Sequence, residues 1–305
     1  MRQPHLLGKD LTRAGRAHCF DETMINPAGT ANGGEVRRLT FASSIMRKDW
    51  RHIVYTPPGY NVPELRYPVL YLLHGNYGSP DDFIDAGSLK QTADRLIADG
   101  RMPPAVIAMP DGGHSWYLNH GDVRMEDAIL REFIPHIERT ERVIGSRAAR
   151  VIGGISMGGY GALRYALKHP DMFGAVALMS PAIFADMPHA GSSALCGAPF
   201  CFVEADGALT FKPHVWRERA YPALLDGCFE RGPPLRFYVD SGAQDEFGIA
   251  DEARRLYETL RARGQRATFG LRDGTHDWTT WTKALETALP HVMADAPWPM
   301  RAGES

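Results

Sequence analysis

Cysteine is scarce in this sequence and long apolar runs are missing, and each shortage removes a class of protein. Four cysteines (Cys19, Cys196, Cys201, Cys228) in 305 residues are too few for a disulfide-stapled scaffold. None belongs to a C-x-x-C pair, which sets aside a zinc ribbon and a thioredoxin-like redox site. Cys196 and Cys201 are close enough to bridge a loop and are read as free thiols. No stretch approaches the ~18 consecutive apolar residues of a membrane span. The opening "MRQPHLLGKDLTRAGRAHCF" lacks the apolar core of a secretory signal. The chain reads as cytoplasmic, or as a secreted protein met without its leader.

Charge of one sign is also lacking. Lys and Arg number 34 against 36 Asp and Glu, for a formal net charge of -2. That balance offers no basic face to nucleic acid or to an anionic membrane. His74, Asp111, His114 and His120 lie near expected strand ends, but none has metal-ligand spacing. No metal is expected. The expected partner is a small molecule, with a homodimer allowed for.

What is present is ordinary globular composition, 44% apolar and 23% charged, with ample length for a large core. Residues 35–43 and 51–57 alternate as half-exposed antiparallel strands do. Residues 68–74, 104–110, 150–155, 174–180, 235–241 and 267–272 read as further strands, mostly continuous apolar runs of the buried parallel kind. Helical patterns lie between the later strands, at 88–100, 124–140, 251–264 and 278–292. In the second, Met125, Ile129, Phe133 and Ile137 form one stripe, and Pro135 should kink the helix or mark a boundary. Strand alternating with helix predicts an α/β fold, a mostly parallel sheet with helices on both faces. Residues 1–34 read as a flexible lead-in, 35–295 as one domain and 296–305 as a tail. Residues 182–226 break the rhythm and read as a lid-like excursion over a sheet edge, too small to hold a core of its own.

The densest signal is "VIGGISMGGYGAL", residues 151–163. Five glycines in nine residues are a poor way to begin a helix. Gly154-Ile155-Ser156-Met157-Gly158 fits G-x-S-x-G, the nucleophile elbow, where a serine sits in a strained strand-to-helix turn. A strand run precedes it and a helix pattern follows, as that turn requires. A serine hydroxyl needs a general base, and the base needs an orienting carboxylate. In this arrangement the acid and then the histidine follow the serine in the chain. His276 lies between the last strand and the last helix. His169 reads as a helix C-cap, and His291 falls inside the final helix. Asp245, on a loop, is preferred to Asp240, which closes its strand, and Asp277 reads as a helix N-cap. The backbone N–H groups of Met157 and Asn76 are the expected oxyanion donors, and His74 reads as structural. Trp116, Tyr117 and Trp216, with Phe200 and Phe202, are expected to wall the substrate pocket.

Taken with "MPDGGHSWY" (109–117), "EFIPHIE" (132–138) and "GTHDWTTW" (274–281), the serine segment resembles one family of esterases. That family includes esterase D, feruloyl and acetylxylan esterases, and mycolyltransferases. The resemblance runs over roughly residues 35–292. It implies an α/β-hydrolase fold, a triad carried here by Ser156, Asp245 and His276, and acyl-ester chemistry without metal or cofactor. "NYGS" after the third strand differs from the Leu-Thr-Cys-Thr-like segment of S-formylglutathione hydrolases and speaks against the thioester branch. The activity implied is a serine carboxylesterase for short-chain or aromatic acyl esters. An acyltransferase, a thioesterase or a non-catalytic binding module on the same scaffold are the alternatives. Activity is therefore expected to survive EDTA; loss on chelation with recovery on adding zinc would revive a metal-dependent mechanism.

Overall fold

The computed structural model describes residues 33–197, 199–225, 228–229 and 234–303. Nearly all of the expected lead-in, with Cys19, lies outside them. Among the described residues, the central sheet has eight strands: β1 (Glu35–Ser43), β2 (Lys48–Thr56), β3 (Val69–Leu73), β4 (Val106–Pro110), β5 (Arg150–Ile155), β6 (Ala175–Met179), β7 (Arg236–Gly242) and β8 (Arg266–Arg272). Their order across the sheet is β1-β2-β4-β3-β5-β6-β7-β8. The two pairings that involve β2 are antiparallel, and those from β4 through β8 are parallel. β3, β4 and β6 are buried along their whole length, so their side chains feed both faces of the sheet. Val69, Tyr71 and Leu73 enter one core; Leu70 and Leu72 enter the other.

Helices cover both cores. The segment 125–140 (α2) and the helices α3 (Met157–Lys168) and α4 (Ile249–Ala262) pack on the first face. α1 (Leu89–Ala98) and α5 (Trp278–Met293) pack on the second. The stripe Met125, Ile129, Phe133 and Ile137 is fully buried, as its spacing requires. Pro135 does mark a boundary within α2. A π-helical turn, Ile129–Phe133, precedes it, with the Ile134 N–H bonding back to the Ile129 carbonyl. Pro135 then lies in the first turn of the helix Ile134–Thr140, where its missing N–H costs nothing. Asp277 caps α5 by accepting the Thr280 N–H at 2.9 Å.

In the expected C-terminal tail, Met300–Arg301 pair antiparallel with Leu65–Arg66, just before β3 in the chain. The excursion after β6 covers part of the first-face core. It packs on the first-face core through Phe200 and Trp216, both fully buried beside Trp116 and Tyr160. Buried aromatic side chains of this kind bury on the order of 150–250 Å² each. Cys196 and Cys201 are free thiols. Among the described residues, no helix is long and apolar enough to cross a membrane.

His52 on β2 is buried among the rings of Phe41, Phe133 and His136, and among the described residues neither ring nitrogen has a partner in good hydrogen-bonding geometry. Burial, then the charges of His136 and Arg37, push its pKa down to about 4 from 6.5, against the pull of the Trp50 backbone. The unfolded chain thus binds a proton below pH ~6.5 that the folded chain refuses until about pH 4. Stability is fully present above that window and falls as pH drops through it, by roughly 3 kcal/mol at most. Denaturant midpoints measured from pH 7.5 to 4.5 should fall, and His52→Phe should remove much of that slope. An unchanged slope would mean that another group carries the proton.

Candidate active site

The carboxyl ends of three parallel strands converge at one point. Ser156 directly follows β5 and opens α3. Its backbone is held at φ 50°, ψ -118°, a conformation that costs a non-glycine residue on the order of 1–3 kcal/mol. Its neighbours impose that shape. The Ser156 N–H faces the carbonyls of Met179 and Ser180, each at 3.1 Å, and its own carbonyl accepts from Ala182 at 2.9 Å. Two of the flanking glycines are steric necessities. A Cβ on Gly154 would lie 2.4 Å from the Gly158 carbonyl carbon, and one on Gly158 would lie 2.0 Å from the Leu73 carbonyl oxygen.

Asp245 follows β7 and His276 follows β8. The His276 Nδ1 lies 2.7 Å from Asp245 Oδ2, and its Nε2 lies 2.9 Å from Ser156 Oγ. The Asp245 side chain is fully buried, and its other oxygen accepts the Phe247 N–H at 3.1 Å. A carboxylate facing Nδ1 places the ring proton there and leaves the Nε2 lone pair toward the serine. The rings of Phe247 and Trp281 stand edge-on to the imidazole, each centred 5.0 Å away. Glu246 also accepts the His276 N–H at 3.2 Å. The imidazole is therefore held by its partners at both nitrogens, by its backbone and by two flanking rings.

Asp240 lies elsewhere. It is buried against Arg272 at 2.5 Å and accepts from the Tyr238 hydroxyl at 2.9 Å. Burial holds its carboxyl above the ordinary value despite the pull of Arg272. His74 is buried, and both of its ring nitrogens are engaged by backbone groups rather than by the serine. Its Nδ1 lies 2.8 Å from the Gly75 carbonyl and its Nε2 accepts the Gly112 N–H at 2.8 Å, which ties the loop after β3 to the loop after β4. His169 caps the end of α3, and His291 lies in α5. Among the described residues, no three His, Cys, Asp or Glu side chains gather as metal ligands would.

The serine and His276 line an open cavity of about 210 Å³. Its walls are Trp116, Phe184, Phe247, Ile249, Trp278 and Trp281, with Gly75, Asn76 and Ser193 supplying polar edges. Trp116 is one of the lining residues. Tyr117 and Trp216 are not, because both are spent inside the core. The Tyr117 hydroxyl donates to the His74 carbonyl and its carbonyl accepts from Tyr165, while the Trp216 indole N–H donates to the Phe184 carbonyl. Phe200 is buried with Trp216, and Phe202 is on the hairpin Cys201–Val203 and Leu209–Phe211. Phe247, Trp278 and Trp281 were not anticipated from the sequence. Their signal was local: Trp278 and Trp281 are three apart at the start of α5, and Phe247 is two beyond Asp245.

The chain is similar to several known proteins. An endo-1,4-beta-xylanase/feruloyl esterase of Xylanibacter ruminicola is 25% identical over 266 residues, covering 84% of this chain and 31% of that protein. The chain therefore spans under a third of that relative's length. An acetyl esterase of Caldicellulosiruptor saccharolyticus is 25% identical over 277 residues, 83% of this chain and 96% of the relative. The solved structure of a ferulic acid esterase superposes with a TM-score of 0.72 at 29% identity, covering 86% of this chain and 98% of that one. The strand order and the helices on both faces are those of the α/β-hydrolase fold. The family model described as "Putative esterase" matches residues 43–292, and the chain belongs to that esterase family.

Proposed function

We propose that this protein hydrolyses carboxylic esters through an acyl-enzyme formed on Ser156. The observation that carries this is the hydrogen-bonded chain from Asp245 through His276 to Ser156, on the floor of an open, largely apolar cavity. Ser156 Oγ attacks the ester carbonyl while His276 Nε2 takes its proton. Asp245 keeps the other ring proton on Nδ1 and stabilises the imidazolium that forms. The tetrahedral oxyanion is met by the N–H groups of Met157, at the start of α3, and of Asn76. Collapse breaks the ester C–O bond, and His276 returns the proton to the departing alcohol. Water, deprotonated by His276, then attacks the acyl-enzyme and releases the acid.

Asn76 fits its part because its loop neighbours are already engaged. The Gly78 N–H donates to the Gly75 carbonyl at 3.3 Å and the Tyr77 N–H faces His114 Nδ1 at 3.3 Å. Among the described residues, the Asn76 N–H has no acceptor. The aromatic wall favours short or aromatic acyl groups, and named relatives include an acetyl esterase and a feruloyl esterase. A small-molecule or carbohydrate-linked ester is the substrate class proposed.

Ser156→Ala should lose about 10⁶-fold in turnover of p-nitrophenyl acetate while the protein stays folded. A fluorophosphonate should add its mass to the wild type at Ser156 and not to the variant. Near-wild-type turnover by Ser156→Ala would overturn the proposal. Asp245→Asn and Asp240→Asn separate catalysis from stability. The first should lower kcat by about 10⁴-fold, because the amide no longer holds the ring proton correctly. The second should leave kcat per folded molecule near wild type and lower stability by about 1–3 kcal/mol, through the weakened buried pair with Arg272. The reverse ranking in kcat would move the acid's role to Asp240.

A further inference from the structure

We infer that Ser193 and His114 are positioning residues that clamp Asn76, so that the clamp and not the turn itself aims the oxyanion-binding N–H; this rests on the ester-hydrolase reading above. Asn76 occupies the second place of the turn Gly75–Gly78, which a single 3.3 Å bond closes. The third place is taken by Tyr77 at φ 61°, a left-handed conformation that such a turn normally gives to glycine or asparagine. An aromatic residue does not hold that shape by its own preference, so the surroundings must hold it.

The surroundings grip the Asn76 side chain from both ends. Its Nδ2 lies 2.8 Å from Ser193 Oγ, and its Oδ1 lies 2.8 Å from His114 Nδ1. Because the Tyr77 N–H also faces that Nδ1, the nitrogen is an acceptor, and turning the amide end for end satisfies every group: its NH2 donates to His114 Nδ1 and its oxygen accepts from the Ser193 hydroxyl. His114 also holds the next residue: its ring centroid is 5.1 Å from that of Tyr77. Both jaws belong to segments with local backbone restraints. Ser193 opens the short helix Ser193–Leu195, which Ser192 caps by accepting the Ala194 N–H at 3.3 Å. His114 follows Gly113, which is held at φ 51° and donates its N–H to Asp111.

The clamped loop passes close to the nucleophile, since a Cβ on Gly75 would sit 3.5 Å from Ser156 Cβ. A displacement of Asn76 by an ångström would therefore be felt at the reacting carbon, where such errors cost up to about 10²-fold. Ser193 comes from the excursion after β6, 117 residues away in the chain. The excursion thus acts on the rate as well as forming part of the cavity wall.

Ser193→Ala and His114→Leu should each lower kcat on p-nitrophenyl acetate by about tenfold, less than the 10²–10³ lost when a donor is deleted outright. KM should stay within about twofold. The affinity for a trifluoromethyl ketone, which forms a tetrahedral oxyanion on the serine, should fall by the same factor as kcat/KM. Ser193→Thr, which keeps the hydroxyl, should recover most of the loss. Asn76→Ala retains the N–H but offers nothing to clamp, and should reproduce the defect if either other variant fails to fold. Unchanged kcat in the folded variants would overturn the inference, as would a loss confined to KM with ketone affinity intact. Ser156→Ala measured alongside separates the two levels. If it is inactive while the clamp variants keep full kcat, only the clamp is wrong. If it stays active, the ester-hydrolase reading fails first.

Discussion

Helix α3 starts so close to strand β3 that no side chain fits between them. A methyl group on Gly158 would lie 2.0 Å from the Leu73 carbonyl oxygen, well inside contact distance. That approach brings the helix start under the end of the sheet and forces the chain to turn within one residue. Ser156 absorbs the turn with a backbone conformation that L-residues avoid. Bonds to the Met179 and Ser180 carbonyls and from Ala182 hold it there. The strain is local, and the restraint comes from the two neighbouring strands. Because β3, β5 and β6 are parallel and buried, their carboxyl ends lie side by side, and the serine is fixed relative to the loop after β3.

The remaining groups depend on the same parallel geometry. β7 and β8 end near β6, so the loops that follow them reach the serine from one side. Asp245 is buried by the turn it belongs to, and His276 is wedged between Phe247 and Trp281. Trp281 also belongs to the core on the second face of the sheet. The histidine loop is thus anchored in one core while the serine helix is anchored in the other. The relative position of base and nucleophile is set by the sheet between them.

Much of this was readable in the sequence, for physical reasons. Buried parallel strands must be continuous apolar runs, so β3 through β7 announced themselves. The elbow announced itself because close backbone contact admits only glycine. Asp245 was preferred to Asp240 because it lies on the loop after the strand, where the acid of such an arrangement sits; in the structure Asp240 is paired with Arg272 and Tyr238. The pocket walls were less legible. Whether an aromatic ring faces a cavity or a core depends on tertiary packing, which has no period along the chain. Tyr117 and Trp216 look like wall residues by composition, yet each is held inside by its polar atoms. The path of the excursion was hidden for the same reason. So was the pairing of Met300–Arg301 with Leu65–Arg66, since a two-residue strand carries no pattern.

The contact between Asn76 and Ser193 joins segments that differ greatly in how freely they could change. The loop after β3 is pinned beside the nucleophile, whereas the segment after β6 is the longest stretch between neighbouring strands on that side of the fold. Long surface segments are where relatives ordinarily diverge and where engineers graft new loops. Here such a graft would exchange a hydrogen-bond partner of the loop beside the nucleophile along with part of the cavity wall. A transplanted segment that offers no hydroxyl at that point would change what the cavity admits and how its floor is held in the same step.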